Sequence, residues 1–354
     1  MTARPKTSRL RRWLRRGLIG CAVLTIVVVA IAWALWHNDQ QVQVTISPET
    51  TWIVEPLRDD GYVDYVAALN QHASQGVTLE NNAVVLFCRA MGPKAIHKAT
   101  SETFFELLGI EPLAAEGEYF VTFDRYLDEQ RPEIDVEEQE TLEEEFVQAA
   151  KRPWSKKDLP LLAQWLTANQ NPLQLVVEGT RRPRCYWPIV GAVEDTSLMA
   201  VLLPGMEGCR EFARGLCIRA MLHAQSGRFD DARADLMACH RLARLASRGP
   251  TLVEGLVATT IEGMACQADA AIAHHGDLSV EQAKLFAADL ANLSPLEGFA
   301  DKIDVADRYM YLDSMCLIAR KGPAAANEWS VGEAEESLEN TIQRCLLNQY
   351  VDWD

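Results

Sequence analysis

The chain has 354 residues, 48% of them apolar, with 34 Lys+Arg against 50 Asp+Glu and a formal net charge of −16. That length and apolar fraction allow a sizeable core and exclude a chain disordered throughout. The acidic excess weighs against nucleic acid as a partner, because it repels phosphate backbones.

At the N-terminus, residues 17–36 read GLIGCAVLTIVVVAIAWALW, twenty positions without a charge. That matches the length of an apolar helix crossing a bilayer. Arg4, Lys6, Arg9, Arg11, Arg12, Arg15 and Arg16 precede it, with no acidic residue among them. Basic residues stay on the cytoplasmic side. The pattern therefore predicts a basic cytoplasmic segment over 1–16, a single transmembrane helix over 17–36 and a body on the extracytoplasmic side, with the lipid bilayer as a partner. A cleaved signal peptide is the alternative, since Ala32-Trp33-Ala34 fits a small-x-small site, but the apolar core is long for one. With those seven basic residues set aside, 27 Lys+Arg face 50 Asp+Glu, a net of −23.

After a polar linker over 37–48, the periodicity predicts helices throughout. They are divided between an N-terminal helical subdomain over 49–150 and a C-terminal helical-hairpin subdomain over 151–354. A turn at Asp59-Asp60-Gly61 leads into a helix over about 62–72, and Thr78 caps a second helix that Gly92-Pro93 stops. Thr100 or Ser101 caps a third, ended by Gly109. The segment FVTFDRYLDEQ alternates like a strand, but it is short and isolated and reads as helix or loop. Residues 128–145 hold ten carboxylates without the Asp/Asn, Gly and Glu spacing of a calcium loop, and read as a solvated helix face. Ser155 with Asp158, and Asn171 before Pro172, mark two further helix starts.

Arg181, Arg182 and Arg184 lie beside Tyr186 and Trp187, a basic-aromatic cluster in an acidic body. Guanidinium groups pair bidentately with carboxylate or phosphate, so an anion site is one reading. The other, favoured by the surrounding charge, is that they neutralise the acidic helix before them.

Pro204-Gly205 opens the clearest unit. A helix over about 206–225 is broken by Ser226-Gly227, and a second carries Phe229, Ala232, Leu236, Cys239, Ala243 and Ala246 as one apolar stripe facing a partner. The short connection makes the two antiparallel. Cys217 lies ten residues before Gly227 and Cys239 twelve after it, so the two are expected close together, and disulfide-bonded if the compartment oxidises. A long helix follows from Pro250 to about His275. Its Glu254, Glu262 and Asp269 are spaced 8 and 7 apart with alanines between, and read as an exposed stripe. Ser279 and Gln282 form a capping box for a further helix.

None of the seven histidines falls in a recurring metal-ligand spacing, and no CxxC, GxSxG, phosphate-binding or dinucleotide-binding loop is present. No catalytic, metal or cofactor residue is therefore assigned. The turn GRFDDA at 227–232, with Ala220, Leu236 and Cys239 at buried positions, resembles a tetratricopeptide repeat, although Arg219 falls where that family has an apolar residue. Further glycine turns near His274 and Lys321 lack the fixed period. The phrases EPLRDDGYVDYVAALN, QNPLQLVVEGTRRPRCYWPIV and DLMACHRLARLASRGPTLVEGL resemble a family of uncharacterised membrane-anchored proteins of planctomycete bacteria. That resemblance implies an all-helical fold and an envelope location, and a chain shortened at its C-terminus. The expectation is an all-α body, an irregular solenoid of hairpins behind a transmembrane helix, acting as a non-enzymatic scaffold for another envelope protein. The alternative is an envelope hydrolase whose site is assembled from scattered residues.

Overall fold

Several helix starts in this chain are set by short polar side chains. The computed structural model describes residues 44–191, 197–201, 203–275 and 278–321. In order, its helices are α1 (Tyr65–Ala73), α2 (Ala83–Met91), α3 (Ser101–Leu108), α4 (Phe123–Gln130), α5 (Val136–Ala149), α6 (Pro160–Ala168) and α7 (Gln170–Gly179). There follow α8 (Pro204–Gln225), α9 (Phe229–Ser247), α10 (Leu252–His275), α11 (Val280–Ala291) and α12 (Ala300–Lys302). A π-helical turn over Ile303–Asp307 leads from α12 into α13 (Arg308–Lys321). Among the described residues there is no strand, only isolated bridges at Leu57–Val63 and Asn82–Arg184. The strand-like segment at 120–130 is mostly helix α4.

Asp64, Asn82, Asp135 and Ser279 each accept a hydrogen bond from a backbone N–H in the first turn of the helix that follows, satisfying a donor with no intrahelical partner. The Ser279–Gln282 capping box is fully formed. Three expected starts move. Ser155 and Asp158 bond each other in a turn, and α6 begins only at Pro160. Thr78 engages Asn81 in a turn, and Asn82 caps α2 instead. Asn171 lies inside α7, while Asn169 before it spends its amide on both backbone groups of Val121 (2.8 and 3.0 Å). Gly109 ends α3 in the left-handed conformation at φ 75°, which a side chain would disfavour.

The chain divides into two units, one of residues up to Val63 and from Leu312 onward, the other Asp64–Tyr311. In the first, the Arg58 N–H donates to the Tyr62 carbonyl (2.8 Å) across the predicted turn, with Gly61 at φ 85°. Arg320 pairs with Asp60 and lies 5.5 Å above the Tyr62 ring.

The second unit holds the large core. Trp165 is fully buried among Phe120, Phe123 and Phe146, and its indole N–H donates to the Val121 carbonyl (2.8 Å). Helix α2 packs on α7, and α8, α9 and α10 pack against one another. The predicted single stripe of α9 proves too narrow. With α8 and α10 both against it, α9 also buries Asp235, Met237, Ala238, His240, Leu242 and Leu245. Polar side chains are thereby enclosed that a one-partner helix would have left in water.

Among the described residues no helix is long and apolar enough to cross a membrane. The longest, α10, carries Glu254, Glu262 and Asp269 along its length. The expected transmembrane helix over 17–36 lies outside the described residues. Among the described residues the fold is all-α, with no helix able to span a membrane. The single-pass topology, the bilayer as a partner and the extracytoplasmic placement find no support and are not carried further.

Candidate metal centre

The three carboxylates of α10 do not form the exposed stripe expected of them. Ala258, Ile261, Ala265 and Ala268 are buried around them, and this small-residue face lets α10 approach α9 closely. Glu254, 2% exposed, accepts from both the N–H and the hydroxyl of Thr251 (2.8 Å each), while the Glu254 N–H donates back to the Thr251 hydroxyl (3.3 Å). It is a structural cap at the start of α10. Burial raises its pKa, against the pull of Thr251 and Lys302.

Glu262 and Asp269 instead converge on His240 of α9, which is 1% exposed. His240 Nδ1 lies 2.9 Å from Glu262 Oε2, and Nε2 lies 2.9 Å from Asp269 Oδ2. Ionised carboxylates only accept, so both ring nitrogens donate and the ring is an imidazolium. Burial opposes that charge, but the two hydrogen bonds and the charges behind them prevail, and the His240 pKa is raised to about 9. Arg244, one turn further along α9, donates through Nη1 to Glu262 Oε2 (2.6 Å) and through Nη2 to Oε1 (3.2 Å). Burial of Glu262 is outweighed by its bonds to His240 and Arg244, which bring its pKa down to about 2.

Cys266 completes the group. It stands one turn after Glu262 and three residues before Asp269 on the same face of α10, and it is exposed. Partial burial, Glu262 and Asp269 all push its thiol pKa up. One ligand atom each from His240, Glu262 and Cys266 lies within 4.8 Å of the other two. Bonds of about 2.0–2.3 Å to a tetrahedral ion place such atoms about 3.3–3.6 Å apart. An exposed cysteine side chain can close that difference by rotation. Asp269 Oδ1 is buried without a hydrogen-bond partner, so the site retains unused acceptor capacity.

The residues singled out by sequence lie elsewhere. Arg182 Nη1 donates to the carbonyls of Leu79 (2.7 Å) and Asn82 (2.8 Å), bracing the entry to α2. Arg184 is exposed and its backbone pairs with Asn81 and Ala83. Arg181 is exposed just beyond α7. The three arginines do not converge on one point: Arg181 and Arg184 line different clefts, and Arg182 is engaged with backbone. Cys217 and Cys239 have their sulfurs 3.8 Å apart, both as free thiols. His240, Glu262, Cys266 and Asp269 were assigned no role by spacing; the fold brings them together, and His240, Glu262 and Cys266 form a group that could hold a metal ion.

Comparison with protein-family models, with curated proteins and with solved structures finds no match for this chain. Neither the tetratricopeptide resemblance nor the resemblance to membrane-anchored planctomycete proteins is therefore supported, and the function rests on the chain's own residues.

Proposed function

We propose that this chain binds a divalent transition-metal ion through His240 Nδ1, Glu262 and Cys266, and that the ion activates a water for hydrolysis. The observation that carries this reading is the division of labour around His240. Asp269 holds Nε2–H, which fixes the ring and leaves Nδ1 as the metal-facing nitrogen, the carboxylate–histidine–metal arrangement. Nitrogen, oxygen and sulfur donors together suit zinc, and three protein ligands leave a coordination position for water, whose pKa such an ion brings toward neutrality.

The charge balance supports it. Without metal, the imidazolium and Arg244 offset Glu262 and Asp269. With metal, the ring is neutral and Cys266 is a thiolate, so two protons leave as two positive charges arrive. Neither form buries a net charge, which in a low-dielectric site is the costly outcome. The scaffold reading, which needed no such site, is set aside in favour of an enzyme assembled from scattered residues.

Calorimetric titration of the chelator-stripped chain with zinc tests the site. One ion per chain is expected, with binding abolished in His240→Gln and in Cys266→Ser. Cobalt should give a thiolate charge-transfer band that Cys266→Ser removes. Failure of both metals to bind stoichiometrically would sink the reading. Zinc-dependent cleavage of a nitrophenyl ester or phosphate tests the hydrolytic part, and its absence across such substrates would leave the ion a structural one.

A further inference from the structure

A second feature of the Asp64–Tyr311 unit stands apart from the metal centre. A cleft of about 530 Å³ opens where α6, α7, α8 and α9 meet. That volume lies in the range of small-molecule sites. Although the chain as a whole is strongly acidic, this cleft is lined by Lys156, Arg181, Arg219 and Arg228.

The two acidic residues that share the cleft are already engaged. Asp235 is buried and receives Arg219 bidentately, Nε at 2.9 Å and Nη2 at 2.6 Å, with His223 Nε2 at 3.5 Å. Asp231 pairs with Arg228 at 3.5 Å. Lys156 and Arg181 are exposed and have no ion-pair partner among the described residues, so the lining carries an excess of two positive charges. Behind them, Leu166, Val177 and Leu222 supply an apolar wall.

We infer that this cleft binds a small molecule carrying a phosphate group and an apolar body. A dianion matches the two uncommitted cations, guanidinium offers it a planar pair of donors, and the apolar wall accepts the remainder. Arg181 thus acts as the anion contact suggested by sequence, but with Lys156 as its companion rather than Arg182 and Arg184.

The test is calorimetric titration of the full chain with inorganic phosphate and with phenyl phosphate, in chelator so that the metal centre takes no part. One-site binding is expected, tighter for phenyl phosphate. Arg181→Gln and Lys156→Gln should each weaken it about tenfold, the effect of losing one charged hydrogen bond. Arg181→Lys should lose less than Arg181→Gln. Both side chains are exposed, so an unchanged thermal midpoint will confirm that the variants fold. Arg125→Gln, which removes an exposed i,i+4 pair with Glu129 on α4, should leave binding unchanged. Lack of saturable binding by either probe, or equal affinity in the wild type and the Arg181 and Lys156 variants, would overturn the inference.

Discussion

In the metal-free chain His240 is a charged clamp between α9 and α10, and its charge can be removed with pH alone. The folded-state pKa is about 9, against an ordinary histidine value of 6.5. Because the folded value is the higher one, the stabilisation is fully present below pH 6.5 and is lost as pH rises through about 9. The two values together correspond to about 3 kcal/mol at full charge. His240 is 1% exposed, so solvent screening removes little of it. Denaturant unfolding in chelator should therefore show the wild type losing about 2–3 kcal/mol between pH 6.5 and 9.5. His240→Gln starts lower and should be nearly flat over the same range. The low pKa of Glu262, about 2, reports the same contacts from the other side and adds an acid limb, in which stability falls below about pH 4.5. A wild-type alkaline limb that persists unchanged in His240→Gln would refute the reasoning.

Three further outcomes follow from named contacts. Asp269→Asn should weaken zinc binding about 10–100-fold while leaving the cobalt–thiolate band intact at saturation, because Asp269 positions His240 and does not supply a ligand; loss of the band would make it a ligand. Asp235→Ala strands Arg219, whose side chain is 13% exposed, and should cost about 3–5 kcal/mol in denaturant unfolding, whereas replacing both by apolar residues should recover most of it. Gly92→Ala combines a left-handed φ of 79° with a Cβ that would run into the Tyr119 ring, and should lower stability by about 2–4 kcal/mol by the same measurement.

The all-helical class was legible because this chain's helices are punctuated in sequence. Gly109, Gly227 and the Ser279–Gln282 box each carry a local physical signal that the structure follows. The centre was harder to read, because its residues are far apart in sequence and each has an ordinary local explanation. A carboxylate every second turn with alanines between reads as a solvated edge. It becomes a buried edge only once α9 is known to lie on those alanines. One signal was nonetheless available. His240 lies ten residues before Pro250 and Glu262 twelve after it, the same offsets that place Cys217 and Cys239 at equal depth about Gly227. Applied to the second hairpin, that arithmetic pairs His240 with Glu262, and Cys266 follows one turn later. The basic cluster separates for the opposite reason. Sequence neighbours Arg181, Arg182 and Arg184 leave the chain in different directions where it is no longer helical, and the Lys156 that shares a cleft with Arg181 comes from a segment 25 residues earlier.

Helix α9 encloses charged groups on two sides, and the two differ in a way that bears on function. Toward α8, Asp235 and Arg219 satisfy each other bidentately, and apolar replacement of such a pair is commonly neutral or stabilising. Toward α10, the arrangement exceeds what closing two helices requires. Glu262 serves both His240 and Arg244, Asp269 keeps one buried oxygen unspent, and a thiol stands at the exposed rim between the two carboxylates. A purely structural clamp gains nothing from Cys266, whose ionisation its neighbours suppress. A divalent ion reverses that suppression, because a bound cation inverts the local preference for protonated ligands. If the proposed ion binds, clamp and metal centre are two states of one set of residues. Protons would hold α9 to α10 in the first and the ion in the second, and the exchange of two protons for one divalent ion would leave the buried charge unchanged.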